Sequence, residues 1–206
     1  MRGATNSIAP TILQRILRAI GEPPKGVYRP SDDTFLMLDA ISDFPFKGKE
    51  TLDMGTGSGM LGLFAAIQGA NVTVVDIDES AARHAARVGR SLGVKVNAFT
   101  SDLFSNIYSQ FDIVLFNPPY LPSTTIADVA TDGGPKGAAV ANRFLRDLPE
   151  HLKRDGTAFL LLSTQNDPSS LSREHQAFSF MLVKRRALFF EELQVFRLRF
   201  RAASGQ

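Results

Sequence analysis

From residue 50 onward, the 206-residue chain alternates between short, apolar, β-branched runs and segments with helical periodicity, and this alternation limits its fold more than anything else in the sequence. It is typical of βαβ units, in which helices cover both faces of a mostly parallel sheet. It predicts strands at residues 50–54, 72–75, 94–99, 111–116 and 157–163, and helices at 61–67, 79–92, 138–152 and 171–181. Two final β-rich runs, 183–190 and 193–200, predict an antiparallel hairpin attached to the sheet.

Two helical segments are predicted before the first strand. Apolar residues recur at helical spacing from Ile8 to Ile20, and a second helix is predicted from Thr34 to Ile41 with Asp32 or Asp33 as its N-cap. The sequence contains no internal repeat and no linker-like tract. We therefore expect one α/β domain over residues 1–206, with residues 1–26 as a helical N-terminal extension.

Composition narrows the possible functions. The chain has no cysteine, so it supplies no thiolate metal ligand, and its three histidines are too scattered to predict a metal site. With 23 Lys and Arg against 21 Asp and Glu, the formal charge of +2 gives no strong overall field for nucleic acid or membrane. The first residues lack the pattern of a signal peptide and no apolar run approaches a membrane span, so we expect a soluble, cytoplasmic protein.

A glycine-rich loop follows the first predicted strand. Residues 53–59 read Asp-Met-Gly-Thr-Gly-Ser-Gly, and Gly55, Gly57 and Gly59 allow a sharp strand-to-helix turn with a ligand close to its backbone. The loop suits either a dinucleotide or a nucleoside cofactor without phosphate, and a tight turn with no ligand is the alternative. Asp53 would repel a pyrophosphate but suits an ammonium group, such as that of S-adenosylmethionine, and so favours a methyl donor.

Acidic residues also follow the next two predicted strands. Asp76 ends the second strand, where a carboxylate can accept hydrogen bonds from both ribose hydroxyls. Asp78 is better placed to cap the helix that follows. After the third strand, Asp102 could accept from an adenine amino group while Leu103 packs on the ring, although a loop or capping role would also explain Asp102.

The fourth predicted strand ends in a stiff loop made of Asn117, Pro118, Pro119 and Tyr120. The side-chain oxygen of Asn117 and the carbonyl of Pro118 could accept both N–H donors of an amide or an aromatic amine. The nitrogen would then be aimed at a sulfonium methyl group for direct displacement, with Tyr120 packed against the flat group. The alternative is that Asn117 caps a turn and Tyr120 fills the core.

Together, the glycine loop and the Asn117 loop resemble motifs of the class I S-adenosylmethionine-dependent methyltransferases. Within that group the chain is similar to the release-factor glutamine methyltransferases (HemK family), and most of all to the short archaeal and eukaryotic branch. Residues 27–35 resemble that branch's Tyr-x-Pro-x-(Glu/Asp)-Asp-Thr-Phe segment, and residues 132–137 its Gly-Gly-x-x-Gly loop. The resemblance, from about Val27 to Phe200, implies a Rossmann-like fold with a seven-stranded sheet.

The resemblance also implies roles for individual residues. Members contact the cofactor at positions that correspond here to Thr34, Asp53, Gly55, Asp76, Asp102 and Leu103, and we add Gly57, Gly59 and Asn117 to the expected cofactor site. Residues 117–120 correspond to those that hold the glutamine side chain of a Gly-Gly-Gln tripeptide in a peptide-chain release factor. The implied reaction is N5-methylation of that glutamine. In contrast to bacterial members, which carry a helical docking domain, only 26 residues precede Val27 here.

Two questions about partners stay open in the sequence. Members of the short branch often need a small zinc-containing activator that pairs with the sheet edge near the third strand, where Val94, Val96 and Ala98 could form that edge or could be ordinary core positions. The substrate could also be an exocyclic amine of adenine or guanine in RNA or DNA, because the same loop can hold either nitrogen. A non-catalytic cofactor-binding subunit would have no need of the Asn117 loop.

Three arginines alternate with apolar residues in the last predicted strand. Arg197, Arg199 and Arg201 would lie on one face of that strand. They could contact the phosphates of a nucleic-acid partner, or they could form a solvated outer face.

Overall fold

The structure, a computed structural model, describes residues 10–119 and 138–202. The strands are β1 (Glu50–Met54), β2 (Asn71–Asp76), β3 (Val96–Thr100), β4 (Phe111–Phe116), β5 (Leu152–Ser163), β6 (Phe178–Ala187) and β7 (Glu192–Phe200). The helices are α1 (Pro10–Ile20), α2 (Asp32–Ile41), α3 (Met60–Ile67), α4 (Glu79–Leu92), α5 (Ala139–His151) and α6 (Pro168–Glu174). A 3₁₀ turn, Thr164–Asn166, follows β5.

All seven strands belong to one sheet in the order β3-β2-β1-β4-β5-β7-β6. β1 to β5 are parallel, and β7 and β6 join the far edge as an antiparallel hairpin. The predicted class, a mostly parallel α/β sheet with a C-terminal hairpin, is confirmed. The chain leaves β1 in one direction to build β2 and β3 and returns on the other side with β4, so the strand order reverses between β1 and β4, where open α/β sheets bind ligands.

Two apolar cores cover the two faces of the sheet. One contains the buried sides of α1, α2, α3 and α4, and the other those of α5 and α6 together with residues 103–107. Side chains alternate between these cores along each strand, so Leu52 and Met54 of β1 face the α5 core. Asp53 lies between them and is therefore directed to the opposite face, where α3 packs.

Local boundaries differ from the prediction most clearly around α6. The predicted helix over 171–181 is wrong, because α6 ends at Glu174 and β6 begins at Phe178. Pro168 starts α6 and Asp167 caps it, with its carboxylate accepting from Ser170 N. Phe178 is fully buried against Phe200, its register partner in β7, so strand pairing decides the conformation there.

Other predicted boundaries differ as well. The predicted strand over 183–190 is instead β6 over Phe178–Ala187, because residues 188–191 form the turn of the hairpin. The N-cap of α2 is Ser31, not Asp32 or Asp33, and β5 begins at Leu152, five residues before the predicted start. The predicted bounds of α4 and β4 are confirmed to the residue. No helix within the described ranges is long and apolar enough to cross a membrane.

The last strand carries its arginines away from the reversal point. β7 runs antiparallel to β5, so Arg199 lies opposite Thr157 near the amino end of the parallel strands and donates to Thr157 Oγ1 at 3.1 Å. Arg201 donates to the carbonyl of Phe178 at 3.0 Å, and Arg197 contacts Met181 Sδ. This arrangement favours the outer-face interpretation of the three arginines.

Candidate functional site

The loops that follow β1, β2 and β4 meet at one edge of the sheet, because the carboxyl ends of parallel strands point the same way. Backbone pairing fixes their relative positions: Met54 lies beside Val75 of β2 and beside Phe116 of β4. The glycine loop, Asp76 and Asn117 thus surround the point where the strand order reverses. Sequence motifs separated by more than sixty residues form one site.

The glycine loop is packed too closely for side chains at two of its positions. Gly57 has a φ of 52°, and a Cβ there would lie 3.1 Å from Tyr28 Cβ. Gly59, the N-cap of α3, has a φ of 90°, and a Cβ there would lie 2.9 Å from Ala85 Cβ of α4. Both need glycine, for their left-handed backbone and for the lack of space. Gly55, with a φ of 61°, packs against the Phe116 ring.

Asp53 is buried beneath this loop and stabilises it through two hydrogen bonds. Its Oδ2 accepts from Gly62 N at 2.9 Å and from Thr56 Oγ1 at 2.6 Å. Burial raises the pKa of Asp53 to about 7 and the nearby charge of Asp76 adds to this rise, although both hydrogen bonds oppose it. Both of these hydrogen bonds reach Oδ2, so Oδ1 is the oxygen that a cationic ligand would contact.

Asp76 ties the end of β2 to the same loop. Its Oδ2 accepts from Gly57 N at 2.9 Å and its Oδ1 from Asp78 N at 3.0 Å. Burial is the main cause that raises the pKa of Asp76. Asp78 caps α4 by accepting from Ser80 N, as predicted, which leaves Asp76 as the acid directed to the site.

Ile77 is a site candidate that the sequence analysis missed. Its side chain is 57% exposed, although it immediately follows a buried strand at the ligand-binding edge. An apolar side chain left open beside Asp76 suits the flat face of an aromatic base. A large apolar residue between two acids at a strand end was the sequence feature that could have revealed it.

The segment before α2 closes over the glycine loop, and Thr34 lies in the first turn of α2. Tyr28, also missed as a site residue, contacts Gly57 and donates its hydroxyl to Asp33 Oδ2 at 2.7 Å. Thr34 is buried and donates to the other oxygen of the buried Asp33 at 3.1 Å. These hydrogen bonds hold Thr34 next to Asp33, which Tyr28 links to the glycine loop.

Two predicted cofactor residues follow β3. Asp102 is half exposed and its Oδ2 accepts from Arg143 of α5 at 2.8 Å, so one oxygen is already used in an ion pair. Leu103 has a φ of 48° and is buried in the α5 core. Their contact with an adenine ring stays a prediction.

The side-chain oxygen of Asn117 gives the strongest indication that the site binds a ligand. This oxygen, Oδ1, is buried and has no hydrogen-bond partner; His84 Nε2 on α4 is the other such atom in the described residues. An unpaired buried acceptor costs about 1–3 kcal/mol, so its presence calls for an N–H donor from a ligand. Pro118 is buried directly after it. Tyr120 and the 132–137 loop lie outside the described residues.

Comparison with known proteins agrees with this geometry. Residues 31–186 match the sequence profile of the methyltransferase small domain family. The chain belongs to this family. It is 37% identical over 145 residues to a Methanocaldococcus jannaschii protein named protein N5-glutamine methyltransferase MJ0928, a match that covers 67% of this chain and 73% of the relative.

Two further matches extend the comparison, one to a named relative and one to a solved structure. The mouse protein named methyltransferase HEMK2 is 31% identical over 163 residues, covering 71% of this chain and 76% of its own length. Among solved structures, the E. cuniculi Mtq2-Trm112 complex, described as responsible for methylation of the translation termination factor eRF1, superposes with a TM-score of 0.69 at 24% identity. That match covers 85% of this chain and 99% of the solved chain, and it shows the class I methyltransferase fold.

Enzymes of this family use S-adenosylmethionine, and the resemblance, the cofactor and the enzyme class predicted from sequence are confirmed. The residues at the site fit that cofactor: a buried carboxylate at Asp53, a carboxylate at Asp76, an open apolar side chain at Ile77 and a glycine backbone with no room for a side chain at Gly57. Within residues 10–119 and 138–202, no three His, Cys, Asp or Glu side chains gather as a metal site would require.

Proposed function

We propose that this methyltransferase transfers a methyl group from S-adenosylmethionine to the side-chain nitrogen of the glutamine in the Gly-Gly-Gln motif of a peptide-chain release factor. The relatives' names support the amide as the acceptor, and the neighbour's link to a termination factor supports the substrate protein. The observation that carries the proposal is the buried, unpartnered Oδ1 of Asn117.

Asn117 and Pro118 would hold the substrate amide. A primary amide has two N–H donors and no basic lone pair, so it is recognised by two acceptors placed side by side. Asn117 Oδ1 supplies one acceptor and the Pro118 carbonyl the other, while Pro119 stiffens the loop and Tyr120 would cover the flat amide. The side-chain oxygen that the described residues leave without a hydrogen bond would then gain its partner when substrate binds.

Asp53 and Asp76 would hold the two ends of the cofactor. Asp53 Oδ1 would accept from the ammonium of the methionine part, and Asp76 from the ribose hydroxyls, with Ile77 against the adenine. Thr34, the backbone at Gly55, Gly57 and Gly59, Asp102 and Leu103 would complete the contacts. Asp53 lies on β1 and Asn117 directly follows the neighbouring strand β4. A cofactor held in this way would therefore have its sulfonium methyl group next to the substrate loop.

The chemistry asked of the protein is positioning. When bound, the cofactor supplies an electrophilic methyl group on a sulfonium. Asn117 and Pro118 would aim the amide nitrogen at this methyl group, whose transfer would leave the cofactor as a neutral thioether. The methylated nitrogen would lose its extra proton to water. Orientation and exclusion of solvent account for most of the rate enhancement in such a reaction.

A small activator protein is the second part of the proposal. In the part of the chain that the structure describes, β3 ends the sheet order and no strand pairs with its outer side. Val94, just before β3, and Val96 and Ala98 within it are half-buried and pack against the core that contains α1 to α4. We expect a zinc-containing partner to pair along this edge and to cover them. The solved Mtq2 neighbour is described as a complex with Trm112, which supports a partner subunit. Activity of the chain with and without such a protein, before and after zinc removal, tests this part.

Mass spectrometry tests the function directly. The purified protein is incubated with S-adenosylmethionine and either a release factor or total RNA, each with and without a candidate activator, and Asn117→Ala serves as the matched inactive variant. Methyl on the glutamine of Gly-Gly-Gln, absent with Asn117→Ala, is the expected result. Methyl on a nucleobase alone would overturn the substrate and leave the cofactor and the nitrogen-holding role of Asn117 in place.

A further inference from the structure

The C-terminal hairpin exposes an apolar surface that the proposed chemistry does not use. The described residues leave six large apolar side chains exposed, and four of them lie on this hairpin: Met181, Leu182, Phe189 and Phe190. Phe189 and Phe190 are 94% and 86% exposed at its tip. Single exposed apolar residues are common, but two adjacent phenylalanines open to solvent mark an interaction site.

The tip that carries Phe189 and Phe190 is built as a rigid turn. Leu188 N donates to Glu191 O at 2.8 Å, and the two rings pack edge to face with centroids 4.9 Å apart. Glu191 accepts from the Ser163 hydroxyl, and Glu192 N donates to Thr164 Oγ1 at 3.1 Å. These hydrogen bonds hold the backbone that carries the two rings, which lowers the entropic cost of binding a partner.

Strand register places this tip at the same edge of the sheet as Asn117. Phe116 pairs with Leu160, and Ser163 pairs with Leu193, so the tip extends beyond the carboxyl end of β5. With strand rise and spacing, the tip lies about 20 Å from Asn117, within the roughly 30 Å diameter of one small domain. A single folded substrate could reach both.

An open groove runs along the hairpin beside α6. It has a volume of about 610 Å³ and begins at Thr164, directly after β5. Phe180, Leu182 and Phe196 form its apolar floor, and Ser169, Ser172 and Gln194 add hydrogen-bonding groups. Such a lining suits a polypeptide segment, with apolar side chains on the floor and main-chain groups at the walls.

Charge distinguishes a protein partner from a nucleic acid. The three cations of β6 near the tip are each paired with an acid of this chain: Lys184 with Asp39 at 2.7 Å, Arg185 with Glu192 at 3.9 Å, and Arg186 with Asp32 at 2.8 Å. The β7 arginines lie toward the opposite edge of the sheet. Nucleic acids are bound through free cations that contact phosphates, and this neutral, apolar surface offers none at the tip.

We infer that the Phe189 and Phe190 tip, with the adjoining groove, docks the folded substrate protein while its glutamine enters the Asn117 loop. This inference rests on the proposed function and adds a second contact point on the enzyme. It predicts that an intact substrate protein uses the tip and that a short peptide, held only at Asn117, does not.

The test compares two substrates and two variants. Phe189→Ser/Phe190→Ser removes the tip, and Tyr108→Ser is the matched control, since Tyr108 is 92% exposed but precedes β4 at the opposite edge. Each is assayed, with the activator present, on an intact release factor and on a short peptide that carries Gly-Gly-Gln. For the double variant we expect kcat/KM on the intact factor to fall about tenfold or more, through KM, as for the loss of an interface hot spot.

The same variant should retain wild-type activity on the peptide and the wild-type melting temperature, and Tyr108→Ser should match the wild type throughout. Unchanged kcat/KM on the intact factor would overturn the docking role while the proposed function stands. An equal loss on peptide and factor would overturn it too, as would a monomer–dimer difference between variants without a kinetic effect. A wild-type enzyme that methylates only RNA would instead refute the proposed function.

Discussion

The pKa values of the carboxyl groups at the two ends of the parallel sheet are shifted in opposite directions. At the amino end, Asp112 accepts from Glu50 N and from Lys153 Nζ, both at 2.9 Å, with Lys49 at 4.0 Å. Burial alone would raise the pKa of Asp112, but these hydrogen bonds and lysine charges outweigh it and lower the pKa. At the carboxyl end, Asp53 and Asp76 have raised pKa values, and Asn117 Oδ1 has no hydrogen-bond partner within residues 10–119 and 138–202.

This difference separates groups that hold the fold together from groups kept ready for a ligand. Asp112 is fully compensated by its neighbours, so its charge is stable in the protein alone. Burial of the Asp53 carboxyl and of the unpaired Asn117 oxygen is unfavourable in free energy, and contacts within the described residues do not offset it. Such groups concentrate at functional sites. The most informative variants are therefore those that exchange or remove groups at one end while the other end serves as the control.

Asn117→Ala should have the largest effect. Removing the oxygen that orients the amide should lower kcat on the order of a hundredfold to a thousandfold, as for other preorganised hydrogen-bonding groups at active sites. The affinity for S-adenosylmethionine, measured by calorimetry, should stay within about twofold, because its other contacts remain. Since the variant also removes an unsatisfied buried acceptor, thermal stability should stay the same or rise.

Asn71→Ala is the matched control at the amino end, where Asn71 donates to Glu50 Oε1 at 2.7 Å. It should leave kcat unchanged. Full turnover by Asn117→Ala would remove the role that the unpartnered oxygen has been given, whatever happened to its stability.

Gly62→Ala should weaken cofactor binding next most strongly. A Cβ at Gly62 would lie 2.7 Å from Val74 Cγ1 and 2.9 Å from Asp53 Oδ2, so the carboxylate beneath the glycine loop must shift. Overpacking of this kind costs about 1–3 kcal/mol of stability, and a displaced Asp53 should weaken S-adenosylmethionine binding by about tenfold or more.

Gly48→Ala separates strain from displacement. Gly48 has a φ of 74°, and a Cβ there would have no neighbour within 4 Å. This substitution should cost about 1–2 kcal/mol through the left-handed backbone alone, with an unchanged cofactor affinity. Equal losses of affinity in the two variants would mean that general destabilisation, not the position of Asp53, is responsible.

The pH dependence of cofactor binding should report on Asp53. Its pKa of about 7 means that the carboxyl is largely protonated below neutrality, when it cannot attract an ammonium group. Binding should therefore tighten as the pH rises through this value, with Kd falling about tenfold from pH 6 to pH 8 in calorimetric titrations. Asp53→Asn should bind more weakly at pH 8 and lose most of this dependence, leaving the smaller contribution of Asp76.

The stability of the cofactor-free protein should show the opposite trend. A carboxyl whose pKa is raised in the folded state, from 3.8 to about 7, stabilises the fold fully below pH 3.8 and loses that contribution as the pH rises to about 7. Denaturant titrations of the wild type against Asp53→Asn should show the difference over this window. A pH-independent Kd in the wild type would contradict the assignment of Asp53.

Much of the site could be predicted from sequence, since chain order in a parallel sheet decides which loops meet. Asp53, Asp76 and Asn117 each follow or end an apolar run, and parallel strands bring such ends to one edge without any knowledge of packing. The capping role of Asp78 was predictable for the same reason, because it depends on local spacing.

Contacts between distant segments could not be predicted in this way. Tyr28 reaches Gly57 only because the segment before α2 folds over the glycine loop. The conformation of residues 175–181 depends on pairing with β7, which overrides the local helical pattern. The antiparallel direction of β7 likewise places Arg199 away from the site, and the alternation of residues along the strand does not predict that direction.

Asp112→Asn should have the smallest effect of these variants, and it should change stability alone. The amide can still accept from Glu50 N but no longer pairs with Lys49 and Lys153, and partly exposed ion pairs contribute at most about 1 kcal/mol. Because the pKa of Asp112 is lowered in the folded state, its contribution is present above pH 3.8 and lost as the pH falls through the folded value. Denaturant titrations should therefore show a small deficit at pH 7 that shrinks at pH 3, with kcat and cofactor affinity unchanged. A substantial change in cofactor affinity would instead mean that the two ends of the sheet are coupled, and that a carboxylate compensated by its neighbours still acts on the site at the other end of β4.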